Sequence, residues 1–151
     1  MGEASAMKKE ISLKTCKKRL AALWFTMGPI IVLLLVVISL LGKKLGDKAD
    51  EAWGWFLPTV MPTLSLIIGV LVVDATDPQK TEKKVDRFLF WLAFDLSFFY
   101  LAIVVLTILI QPFTGSTLLD LMKASNLWLG PVQGLVAAVL GAFFIKGERG
   151  K

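Results

Sequence analysis

The chain contains no histidine, a single cysteine (Cys16), a single tyrosine (Tyr100) and long stretches without any charge. Without histidine it lacks the usual general base, the commonest metal ligand and the one side chain that ordinarily titrates near neutral pH. One cysteine cannot form a disulfide, a CxxC redox pair or a thiolate metal site within the chain. No serine, threonine or carboxylate stands at motif spacing from a base or a second carboxylate, and no phosphate-binding glycine loop is present. The expectation is therefore a non-enzyme with no metal and no cofactor.

What is present is apolar surface gathered into runs. Of 151 residues 56% are hydrophobic, and they cluster in long blocks rather than at periods of two or 3.6. The clearest block is Phe88 to Ile110, FLFWLAFDLSFFYLAIVVLTILI. As a helix it measures about 34 Å, enough for a hydrocarbon core of about 30 Å. Its sixteen Leu, Ile, Val and Phe residues each favour insertion by roughly 0.3–0.6 kcal/mol, against roughly 2.5–3.5 kcal/mol for its one carboxyl, Asp95. Insertion wins, and Asp95 goes in with the helix.

Taken in order, the chain reads as an all-α integral membrane bundle of four transmembrane helices. Residues 1–20 form a basic leader and residues 21–145 the membrane domain, with spans at 21–41, 55–73, 88–110 and 127–145; residues 146–151 form a tail. The first run is longer than a secretory signal core and lacks a small-x-small cleavage site, so it is read as a retained span. Pro29, Pro58, Pro62 and Pro131 mark candidate kinks. Pro62, Ser65 and Gly69 form a small-residue stripe, and Gly130, Gly134, Ala138 and Gly141 another, each able to admit a neighbouring helix. Between the third and fourth spans, Thr117 and Asp120 resemble a capping box ahead of LLDLMKA, which suggests a short helix lying at the interface.

Charge sets the expected orientation. The leader, the 74–87 loop and the tail hold thirteen of the seventeen Lys and Arg residues, so both termini and that loop are expected in the cytoplasm. The five tryptophans, Trp24, Trp53, Trp55, Trp91 and Trp128, all fall near span ends, where an aromatic belt is expected. The net charge of +5 lies beside apolar runs, where anionic headgroups account for it. No specific nucleic-acid binding is expected. Lys80, Lys83, Lys84 and Arg87 offer a docking site for lipid or a cytoplasmic protein. The expected location is a bacterial inner membrane.

Helix rise places Asp95, Thr26 and Ser65 at similar depths, about 10–13 Å from the cytoplasmic ends of their spans, and Tyr100 and Gln133 together at about 19 Å. At 100° per residue Phe88, Trp91, Asp95, Phe99 and Ala102 share one face of the third span, while Ala93, Ser97, Tyr100 and Thr107 share the opposite one. A four-helix bundle buries one of these faces; a second copy of the chain or a central pore would occupy the other. The leading expectation is a homo-oligomer that forms a pore or channel, or a membrane effector regulated by a cytoplasmic partner. The alternatives are a proton-coupled transporter using Asp95, with Tyr100 and Gln133 at the substrate, and a membrane anchor subunit of a larger complex. In the bland reading of Asp95 it is a packing contact hydrogen-bonded to Thr26 or Ser65.

Overall fold

A computed structural model describes residues 10–41, 48–76 and 84–148. Strand β1 (Glu10–Ser12) leads into helix α1 (Leu13–Leu41), followed by α2 (Ala49–Thr76), strand β2 (Lys84–Asp86), α3 (Arg87–Leu109), a 3₁₀ turn (Gln111–Phe113) and α4 (Leu118–Glu148). Each of the four helices is long and apolar enough to cross a membrane.

The helix limits follow from local chemistry. α3 starts where the Asp86 carboxylate accepts a hydrogen bond from the Phe88 amide at 3.0 Å, and its ladder ends with the Ile110 amide on the Leu106 carbonyl (2.9 Å), just before Pro112, which has no amide hydrogen to extend it. α4 starts at a capping box: the Asp120 amide donates to Thr117 Oγ1 (3.2 Å), and that hydroxyl donates to Asp120 Oδ2 (2.6 Å). Pro29, Pro58, Pro62 and Pro131 all lie inside continuous helices.

α1, α2 and α4 all run beyond their expected spans, α2 covering Ala49–Thr76 where 55–73 is expected, and three differences stand out. α1 begins at Leu13, so the second half of the basic leader is helical. Leu13, Cys16, Lys17, Leu20 and Trp24 fall at helical spacing and are all buried, so the amphipathic stripe carries the helix below the apolar run. The expected interfacial helix is not a separate element, because LLDLMKA is the beginning of the 31-residue α4. Nothing between Leu118 and Leu129 forces a break. Ser125, inside α4, donates to the Met122 carbonyl (2.7 Å) and accepts from Trp55 Nε1 (3.1 Å). The third difference is the ladder of β1 and β2, which pair antiparallel with Ile11 opposite Val85; strands of three residues are too short to show an alternating pattern.

Helix contacts run from α1 to α2, α2 to α4, α4 to α3 and α3 to α1, with α3 against α4 the most extensive. The interior is filled by Trp24, Ile31, Phe56, Tyr100, Leu101, Val104, Leu129, Leu140 and Phe143. Trp24 stacks on Tyr100 with ring centroids 6.1 Å apart. Trp24 and Trp55 are therefore core residues, while Trp91 and Trp128 face outward. The outer surface of the spans carries Leu33, Val37, Met61, Val72, Phe98, Leu106 and Leu135, a surface that suits lipid and not water.

Candidate functional site

α3 presents the two faces that its sequence phase implies. Ala93, Ser97, Tyr100, Val104 and Thr107 point into the bundle and are buried. Phe88, Trp91, Asp95, Phe98 and Phe99 point out. Asp95 has no hydrogen-bond or ion-pair partner among the described residues, and Thr26 and Ser65 are likewise exposed. The expected Asp95–Thr26–Ser65 layer is therefore not joined within the chain, and the reading of Asp95 as an internal packing contact finds no bond to support it.

The second layer does come together. Tyr100 OH donates to the Thr59 carbonyl at 2.7 Å, and Gln133 Nε2 donates to the carbonyls of Pro58 (3.0 Å) and Thr59 (3.2 Å). Pro62 accounts for the bond to the Pro58 carbonyl. In a helix the Pro58 carbonyl would accept the amide hydrogen of residue 62, and proline has none. Inside a bilayer an unsatisfied carbonyl is costly and water is not at hand, so side chains of neighbouring helices take the place of the missing amide. Thr59 Oγ1 donates back to the Trp55 carbonyl (2.6 Å), one turn earlier. Gln133 thus acts as a splint across a proline-weakened turn, and Tyr100 adds a tie at the next carbonyl.

Ser97 is fully buried with its hydroxyl unpartnered among the described residues, and Trp24 Nε1 shares that condition. Thr107 returns its hydroxyl to the Ile103 carbonyl (2.8 Å).

At the end of the bundle nearest the strands, Lys17 is buried with 4% of its side chain exposed. Its ammonium pairs with Asp74 Oδ2 at 3.0 Å and stands 5.7 Å from the centre of the Phe144 ring. One side chain of α1 thereby ties the C-terminal ends of α2 and α4. Among the six basic residues of the leader nothing marks Lys17 by type; only its helical phase with Leu13, Leu20 and Trp24 does so. At the opposite end Trp55–Ser125 and the ion pair Lys123–Glu51 (2.7 Å) join α2 to α4.

The small-residue stripes face outward. A Cβ built on Gly69, Gly130, Gly134 or Gly141 would meet nothing within 4 Å, and Ala138 is exposed. Ser65, Leu66, Gly69, Val70 and Val73 line a shallow groove of about 330 Å³ on α2. Within the chain Gly28 is the buried one, and a Cβ there would make ordinary contact with Leu64 at 3.6 Å. Of the expected docking residues, Lys84 and Arg87 are exposed beside the ladder, while Lys80 and Lys83 lie outside the described residues.

Four membrane-length helices packed around one apolar core define the class: an α-helical integral membrane protein with several spans. No family model, curated relative or solved structure matches the chain.

Proposed function

We propose that the protein is a homo-oligomeric membrane pore in which the Asp95 faces of α3 from several copies meet and line the path. The observation that carries this reading is Asp95 itself, an outward-facing carboxyl in the middle of a helix whose other exposed neighbours are aromatic or aliphatic. A carboxylate held against hydrocarbon costs roughly 2.5–3.5 kcal/mol on insertion scales. Oligomerisation that turns this face away from lipid, toward water or another subunit, removes that penalty.

The filled bundle interior supports placing the path between subunits and not within one. The outward glycines of α2 and α4 support close approach of a neighbouring copy. Thirteen of seventeen basic residues fall in the leader, the 74–87 loop and the tail, which favours a cytoplasmic position for the strand-bearing end. The proton-coupled alternative is the weaker of the two, because Tyr100 and Gln133 already donate to α2 carbonyls.

Mass measurement of the full chain in nanodiscs, together with ion release from liposomes, tests this reading. The expected result is a species larger than one chain and a leak that changes in Asp95→Asn. Monomer at every concentration, in liposomes that stay tight, would overturn it.

A further inference from the structure

Resting on the pore reading, we infer that the path admits cations, with Asp95 as its selecting group and the rings one turn away as its constriction. The outward face of α3 runs Phe88, Trp91, Asp95, Phe98 and Phe99, then Leu106 and Leu109. Asp95 is the only charged group on this face within the span. Trp91 stands at i−4 and Phe98 and Phe99 at i+3 and i+4, so in an α-helix the carboxylate lies between aromatic side chains one turn above and one turn below. Those rings are open: Trp91 is 42% exposed and Phe98 and Phe99 are each 55% exposed.

When several copies bring this face together, the carboxylates form a ring of negative charge. Such a ring concentrates cations and repels anions, because low-dielectric walls focus its field on the path. The aromatic rings beside it narrow the same path with apolar surface, and a narrow apolar segment resists wetting and so limits flow. Their π faces attract cations and not anions, which acts in the same direction as the carboxylates.

The test is a planar bilayer holding the full-length protein between unequal KCl solutions. The reversal potential is expected to have the sign of potassium selectivity. Asp95→Asn should bring the potassium-to-chloride permeability ratio down several-fold, toward that of free solution, with conductance retained; Asp95→Glu should keep it. Phe98→Ala and Phe99→Ala, both at outward positions, should raise conductance without reversing the selectivity. Conductance whose selectivity is the same in Asp95→Asn as in the parent protein overturns this inference and leaves the pore intact. Oligomers without conductance under any of these conditions end the pore reading and this inference together.

Discussion

Asp74→Ala is expected to destabilise the protein by about 3 kcal/mol, the low end of the cost of stranding a buried charge, because Lys17 is buried while Asp74 is 29% exposed. Lys17 retains only 4% of its side-chain exposure and its ammonium sits against the Phe144 ring, so it cannot turn to water when the carboxylate is removed. The reverse substitution is gentler. In Lys17→Met the unbranched thioether side chain lies against Phe144 much as the lysine stem does, and the Asp74 left behind is 29% exposed and reaches solvent. The double variant Lys17→Met with Asp74→Ala should be more stable than Asp74→Ala alone, because it removes the stranded charge. Unfolding by SDS titration in mixed micelles measures all three. Equal losses in the two single variants would show that the pair is not the clamp described above.

This pair also marks where sequence reading stops. Four spans, their order and the two faces of α3 follow from the length of the apolar runs and from a period of 3.6, and α3 itself, Arg87–Leu109, lies within one residue of its expected limits at each end. Helix rise alone pairs Tyr100 with Gln133, and the structure brings both to the Thr59 carbonyl, with Gln133 also reaching that of Pro58. What they do there was hidden, because it depends on Pro58 and Pro62 of a third helix, and a proline read as a kink does not reveal which neighbours supply the lost bond. The glycine stripes show a different limit. A run of small residues records that something approaches closely, and not whether the approach is inside the chain; Gly134 and Gly141 face open space. By charge alone Lys17 reads with five other basic residues as a topology signal, since charge counting ignores the phase that turns it inward.

Tyr100→Ala should cost about 3–5 kcal/mol, as truncation of a fully buried aromatic side chain does. The ring is 0% exposed and stacks on Trp24, so its loss opens a cavity at the centre of the bundle in addition to removing the bond to Thr59. Tyr100→Phe separates the two effects, keeping the ring and losing only the hydroxyl, and should cost about 1 kcal/mol, in the range of interhelical hydrogen bonds in membranes. The splint predicts a specific coupling as well. Pro62→Ala restores an amide that can donate to the Pro58 carbonyl, and Gln133→Leu removes the side chain that now does so. Gln133→Leu should therefore cost about 1 kcal/mol in the parent protein and less in the Pro62→Ala background, where the helix satisfies its own carbonyl. The double-mutant cycle isolates this exchange because both residues act on one acceptor. If Gln133→Leu costs the same with and without Pro62, Gln133 is not compensating for the proline, and its closeness to α2 is packing alone.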